Sequence, residues 1–263
     1  MSHAGADDIR LKETLSRIKK KYVILSGKGG VGKSTVAVNI AYALALQGKT
    51  VGLLDCDLHG PSIPTMTGLT NYIGENDGET FKPAEKLGGL LKILSTQFFL
   101  KNRDDSVVWR GPMKHSVISQ FIGHTDWGNL DFLIIDSPPG TGDEPLTVVQ
   151  TAGPDGAIIV TTPQAVSTAD VRKSIDFCRK LSLPVFGIIE NMSGFVCPNC
   201  KVQTDIFGAH GGKEMANDLG ERFLGSIPIE PSIVMLADQG KPLVEADPES
   251  LTCGIFKKIA EML

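Results

Sequence analysis

No stretch of this 263-residue chain approaches the ~18–20 consecutive apolar residues that a helix needs to cross a bilayer. The polar start, MSHAGADDIRLKE, has no apolar core of the kind that directs export. No membrane partner is expected, and the cytoplasm is the compartment implied. Cysteine is scarce: five residues, an odd number, do not make a disulfide framework in a chain of this length. A basic excess is missing too. The formal net charge is −4, the wrong sign for a nucleic-acid coat, so no nucleic-acid partner is expected. The one basic run, at 17–21, reads as a solvated helix end. Internal repeats and low-complexity segments are absent. What remains is a globular balance, 41% hydrophobic and 21% charged, long enough to bury a substantial core.

The most informative stretch is Gly27-Lys28-Gly29-Gly30-Val31-Gly32-Lys33-Ser34-Thr35, which satisfies the G-x-x-x-x-G-K-[ST] phosphate loop. Its glycines let backbone N–H groups wrap a polyphosphate, and Lys33 neutralises the outer phosphates. Ser34 offers a hydroxyl to Mg²⁺. Lys28 is surplus to a single subunit. A charge on the outer lip of the loop suggests contact with a nucleotide held by a second copy.

The context is the one such a loop requires. Residues 7–20 read as an amphipathic lead helix, with Leu11, Leu15 and Ile18 on one face. An apolar strand at 22–26, a helix at 33–47 stopped by Gly48, and a strand at 50–55 then form a βαβ unit. Strands are expected at 90–95, 132–136, 157–161 and 184–190, and helices at 112–123, 143–151 and 167–181. Continuous apolar strands mean both sheet faces are covered, so the fold class is α/β, a doubly wound, mostly parallel sheet. Residues 58–90, rich in Gly and Pro, look like a surface excursion. The organisation expected is a lead helix at 1–21 and a single P-loop domain at 22–263.

Two acidic clusters fall at strand ends, where an open α/β sheet places its ligand. In Asp55-Cys56-Asp57 the two carboxylates share a direction if the strand stays regular, and one can orient a water at the γ-phosphate. Asp136 closes the apolar run Leu133-Ile134-Ile135 and has the placement of a Mg²⁺-supporting carboxylate. The stiff Pro138-Pro139-Gly140 loop behind it can differ between triphosphate and diphosphate states. An Asp at a strand end is otherwise a common turn former; the order behind a full phosphate loop favours function for Asp57 and Asp136. The guanine-reading N-K-x-D is absent, which favours ATP. Asn191 closes the late strand Ile188-Ile189-Glu190, and its amide matches adenine's N6/N7 edge. Spacing leaves a plain turn equally open.

Cys197-Pro198-Asn199-Cys200 follows that strand. Two thiols so spaced can hold a soft metal, an iron–sulfur cluster or a reversible disulfide; two buried apolar cysteines are the structural alternative. A zinc site or cubane cluster needs about four ligands, and no second CxxC exists. Two chains meeting at an axis would supply them. Cys56, Cys178 and Cys253 are scattered singly and read as packing residues.

GKGGVGKST, DCDLHGPS at 55–62, DSPPGTGD at 136–143, TTPQ at 161–164, ENMSGF at 190–195 and CPNC at 197–200 resemble, in order and spacing, the Mrp/ApbC (Nbp-type) iron–sulfur cluster carrier ATPases. These belong to the deviant-Walker-A class with MinD, ParA and nitrogenase iron protein. The resemblance implies that Lys28 reaches the partner subunit's nucleotide, that Lys33, Ser34 and Thr35 bind phosphate and Mg²⁺, and that Asp57 positions the hydrolytic water. It further implies that Asp136 supports the metal and that Asn191 contacts adenine. Cys197 and Cys200 of two subunits would hold a bridging [4Fe–4S] cluster, with zinc a possible substitute, for delivery to apo iron–sulfur proteins. The chain departs from members with an N-terminal four-cysteine motif, having no cysteine before Cys56. Two other readings stand beside this one. The first is a MinD/ParA-like positioning ATPase, which the short C-terminal segment at 254–263 serves poorly because it reads better as a helix closing the core. The second is a zinc-clasped ATPase dimer.

Overall fold

A computed structural model describes residues 3–57, 60–99, 111–197, 199–200 and 202–263; Leu58 and His59 of DCDLHGPS, Pro198 of CPNC and the neighbouring Lys201 lie outside the described residues. Helix α1 (His3–Ser16) leads into β1 (Ile18–Leu25), and the Gly-rich loop joins β1 to α2 (Lys33–Leu46) and β2 (Val51–Asp55). The connection that follows carries α3 (Ile63–Met66), a small hairpin of β3 (Glu75–Asn76) and β4 (Phe81–Lys82), and β5 (Ala84–Lys86). Next come β6 (Leu91–Ser95), α4 (Gly111–Gly123), β7 (Leu130–Asp136), α5 (Asp143–Ala152), β8 (Gly156–Thr161), α6 (Ala165–Lys180) and β9 (Val185–Val196). The chain finishes with β10 (Gln203–Thr204), α7 (Gly211–Leu219), β11 (Phe223–Ile229), α8 (Pro231–Asp238), α9 (Leu243–Ala246) and α10 (Leu251–Glu261).

Among the described residues the main sheet has nine strands, ordered β10-β9-β8-β1-β7-β2-β6-β5, with β11 also paired to β9. All ladders are parallel except the outer ones made by β10 and β5. The unbroken apolar strands resolve by the two-residue period of the pleat. On β1, Tyr22 and Ile24 face a core shared with α2 and α10, while Val23 and Leu25 face one shared with α4, α5 and α6. Both faces are covered, as the apolar runs predict.

Three expectations are corrected. Strand β1 begins at Ile18, not Tyr22, so Lys19, Lys20 and Lys21 of the basic run lie on a strand, and only Arg17 sits at the end of α1. Ile18 pairs with Leu130 and is buried, and Lys19 reaches out to Asp131 at 2.8 Å. Lys19 and Lys20 stay exposed while their backbone extends the ladder. The segment at 58–90 is more than a surface excursion: β5 closes the sheet edge against β6, and Ile63 and Met66 of α3 are buried. The late strand does not end at Asn191 but runs to Val196, because β11 pairs along it from Ile188 to Phe195. The C-terminal helix, by contrast, does what its pattern predicts. Ser250 caps α10 by accepting from Cys253 N at 3.0 Å, and Cys253, Phe256, Ile259 and Ala260 are buried.

Candidate nucleotide site and cysteine pair

The C-terminal ends of β1, β7 and β2 converge on the phosphate loop. Ser26, Lys28, Gly29, Gly30, Gly32, Lys33, Ser34, Thr35, Asp57, Ser62, Met66 and Pro139 line one pocket there. Gly30 and Gly32 hold φ of 81° and 79°, which turns the loop in the left-handed region that glycine tolerates. Gly27 is required by space: a Cβ there would strike Asp170 of α6, including its backbone carbonyl. Gly32 is the N-cap of α2, so the helix's unpaired N–H groups and positive dipole end face the pocket, a natural anion site.

The charged groups are arranged in depth. Lys33 is buried, its ammonium bonded to Oδ1 of the fully buried Asp136. The other oxygen, Asp136 Oδ2, is buried with no hydrogen-bond partner among the described residues. Burial pushes the Asp136 carboxyl up, and Lys33 pulls it back. The Lys33 ammonium also reaches Ser34 Oγ at 3.4 Å, so the unpartnered carboxylate oxygen and the Ser34 hydroxyl flank one lysine, a donor set that fits Mg²⁺, a hard cation taking oxygen ligands. Asp57 is half-buried and lines the pocket. The stiff loop behind Asp136 is tied to the site, since Gly140 N donates to Ser26 O at 2.8 Å. Lys28 is half-buried and not fully exposed, and its ammonium has no ion-pair partner among the described residues.

Asp55 and Asp57 do not share a direction. The strand stops at Asp55, which stays inside the sheet at zero exposure, while Asp57 leaves it for the pocket. Burial, and then the neighbouring Asp136 charge, push the Asp55 carboxyl up to about 8. Sequence reasoning assigned Asp55 no role of its own; the available signal was its place as the last residue of a strand beside two other polar strand ends, Ser95 and Asp136.

Asn191 is buried, and its Nδ2 donates to Val31 O of the phosphate loop at 2.8 Å. Gly32 leaves room for that amide: a Cβ on Gly32 would overlap Nδ2. The residue thus braces the loop backbone and lies outside the phosphate pocket.

Strand β9 continues from Asn191 to the cysteine pair. Cys197 is half-buried and Cys200 exposed on the turn before β10, where Cys197 N donates to Val202 O at 3.0 Å. Among the described residues no group of three or more His, Cys, Asp or Glu side chains could hold a metal ion. Cys56, Cys178 and Cys253 are buried, as packing residues should be. Burial pushes the Cys178 thiol up to about 12. No helix among the described residues is long and apolar enough to cross a membrane.

The geometry agrees with what comparison finds. The chain is 48% identical over 268 residues to a cytosolic Fe–S cluster assembly factor, CFD1, of Kluyveromyces lactis, covering 98% of this chain and 95% of that protein. It is 49% identical over 257 residues to an iron–sulfur cluster carrier protein of Methanocaldococcus jannaschii, covering 97% and 88%. Its fold superposes with a TM-score of 0.82 on a nucleotide-binding protein of Archaeoglobus fulgidus solved in complex with ADP, at 40% identity and covering 95% and 96% of the two chains. The family model described as ParA, NUBPL iron-transfer P-loop NTPase, matches residues 17–263. With the phosphate loop, its carboxylates and the cysteine pair in place, the chain belongs to the NUBPL iron-transfer P-loop NTPases.

Proposed function

We propose that this protein binds and hydrolyses ATP and carries a [4Fe–4S] cluster, held by Cys197 and Cys200 of two subunits, for delivery to apo iron–sulfur proteins. The observation that carries the reading is the pairing of a complete phosphate-loop site with a solvent-reachable CxxC turn that follows β9, the strand whose Asn191 bonds the phosphate loop. One chain offers two thiols there, and a cubane cluster takes about four cysteine ligands, so the cargo requires a homodimer.

In hydrolysis, the loop N–H groups and Lys33 hold the β- and γ-phosphates. Lys33 exchanges its bond to Asp136 for phosphate oxygens. The Ser34 hydroxyl and the Asp136 carboxylate would hold Mg²⁺, which would supply charge neutralisation on those oxygens. Asp57 orients a water in line with the γ-phosphorus. The new P–O bond forms as the bond to the ADP β-phosphate oxygen breaks, and the water's proton leaves to phosphate. Lys28, half-buried in the pocket lining and without an ion-pair partner among the described residues, reaches the partner's nucleotide. Asn191 supports the loop and contributes to adenine binding. The positioning-ATPase reading is the weaker one. Helix α10 spends its apolar face on the core, leaving no such face for a membrane.

Anaerobic reconstitution with iron and sulfide, followed by metal counting and visible absorption, tests the proposal. The expected result is about four irons per dimer, lost in Cys197→Ala and Cys200→Ala, with ATP-sensitive transfer to an apo-acceptor. Stoichiometric zinc that resists exchange would overturn it in favour of a zinc-clasped dimer.

A further inference from the structure

Asp55 has no task in the hydrolysis scheme, yet it lies fully buried beside it. Three strand-final residues stand in adjacent register across the sheet: Ser95 of β6, Asp55 of β2 and Asp136 of β7. Ser95 Oγ donates to Asp55 Oδ2 at 3.0 Å, and Asp57 N donates to Asp55 Oδ1 at 3.1 Å. Ser95 Oγ itself accepts from Gln97 N at 3.3 Å, which leaves its own proton for Asp55. Between the two aspartates, Cys56 N donates to Asp136 O at 2.9 Å, so the backbone is held on both sides of the bend. Beyond it, Asp57 Oδ1 accepts from Gly60 N at 3.2 Å.

We propose that Asp55 is a positioning residue for ATP hydrolysis: anchored by Ser95, it grips the Asp57 backbone and aims the Asp57 carboxylate at the attacking water. The inference rests on the reading of Asp57 as the group that orients that water. A side chain here must meet two donors on different elements at once. A carboxyl meets both; a carboxamide keeps its oxygen for Asp57 N and turns its NH2 to the Ser95 hydroxyl oxygen, whereas alanine leaves Ser95 and the Asp57 N–H without their partner. The phosphates are held by loop N–H groups and Lys33, not by Asp57, so the effect falls on turnover and not on nucleotide affinity. Displacing a catalytic group by about 1 Å costs up to roughly 100-fold in rate.

Steady-state ATP hydrolysis and ADP affinity are measured for full-length wild type, Asp55→Ala, Asp55→Asn, Asp57→Ala and the Asp55→Ala/Asp57→Ala double variant. The expected result is a kcat lowered roughly 10- to 100-fold in Asp55→Ala with KM within about twofold. Asp55→Asn should recover most of the loss, because its amide keeps the acceptor for Asp57 N. The double variant should be no slower than Asp57→Ala alone, since Asp55 acts through Asp57. Unchanged kcat in Asp55→Ala, no recovery in Asp55→Asn, or losses that multiply in the double variant each overturn the inference. Should Asp55→Ala fail to fold, Ser95→Ala removes one anchor of the same chain. A lowered kcat at constant KM supports the inference, and an unchanged kcat overturns it. A wild type that hydrolyses no ATP would instead sink the proposed function; a hydrolysing wild type with an indifferent Asp55 sinks only this inference.

Discussion

Replacing the phosphate-loop glycines one at a time by alanine separates backbone strain from steric conflict. At Gly29 no atom lies within 4 Å of an added Cβ, and its φ is outside the left-handed region. Gly29→Ala should be neutral, or stabilising by the ~0.4–1 kcal/mol that a less flexible unfolded chain contributes. Gly30 also has open space but holds φ 81°, so Gly30→Ala costs about 1–2 kcal/mol for the left-handed conformation alone. Gly32 combines φ 79° with a Cβ that would overlap Asn191 Nδ2 and lie 3.7 Å from Met192 Cε. The amide must then abandon its 2.8 Å bond to Val31 O, adding about 1 kcal/mol, with a further ~1–3 kcal/mol for overpacking. Net of the entropy gain, Gly32→Ala should cost about 3–5 kcal/mol. At roughly 2–4 °C per kcal/mol for a chain of this size, the thermal midpoint drops by about 6–20 °C. Circular-dichroism melts without nucleotide measure the series. Shortening the obstacle supplies the control: in Gly32→Ala/Asn191→Ala the losses should fall short of additive by at least ~1 kcal/mol. Equal midpoints for Gly29→Ala and Gly32→Ala, or strict additivity in the double variant, would refute the steric argument.

Stability should also report the buried acid. Asp55 titrates at about 8 when folded against an ordinary 3.8, so between those values the folded state holds a proton that the unfolded state has released. Its contribution is fully present below the unfolded value and lost as pH rises through about 8. The midpoint in Mg²⁺-free, nucleotide-free buffer should therefore decline from pH 5 to 9, and Asp55→Asn should flatten that slope. Phe256 has zero exposure on α10, so Phe256→Ala should destabilise by about 3–5 kcal/mol in a denaturant titration. The wild type should not co-sediment with anionic vesicles, since that face is already used. Finally, Lys28→Ala should abolish any dependence of the per-subunit ATPase rate on protein concentration, while ADP affinity of the monomer changes little.

What the sequence made legible was whatever a local pattern encodes. The phosphate loop needs only its own nine residues, and the apolar strands β7, β8 and β9 announce themselves by composition, because both sheet faces are dry. Legibility fails where a neighbour across the sheet decides. The lysines of β1 look like a helix end, yet Ile18 and the ladder to β7 make them strand. Asn191 looks like a strand terminus until β11 extends the pairing past it. Asp55 and Asp57 look equivalent in DCD, and only the end of β2 and the hydroxyl of Ser95, forty residues on, give them different surroundings.

Strand β9 shows why those non-local decisions matter to function. Its buried Glu190 accepts from Gly212 N at 2.6 Å, His210 N at 3.2 Å and the Ser193 hydroxyl, which ties the strand to the start of α7. The next residue, Asn191, holds the phosphate loop. Immediately beyond, Met192 at φ 58° and Gly194 at φ 75° break the regular strand before it reaches Cys197. The pairing of Phe195 and Val196 with β10 and the Cys197 N bond to Val202 O at 3.0 Å then fasten the cysteine hairpin. The strand is therefore tied to α7 and the phosphate loop at Glu190 and Asn191, and to β10 where it leads to the thiols. A left-handed methionine carries a conformational cost of about 1–2 kcal/mol, and here the surrounding hydrogen bonds at Glu190 and Asn191 over-determine the backbone enough to hold it. One continuous segment of chain thus fixes the phosphate loop and sets the direction in which the cysteine pair leaves the sheet.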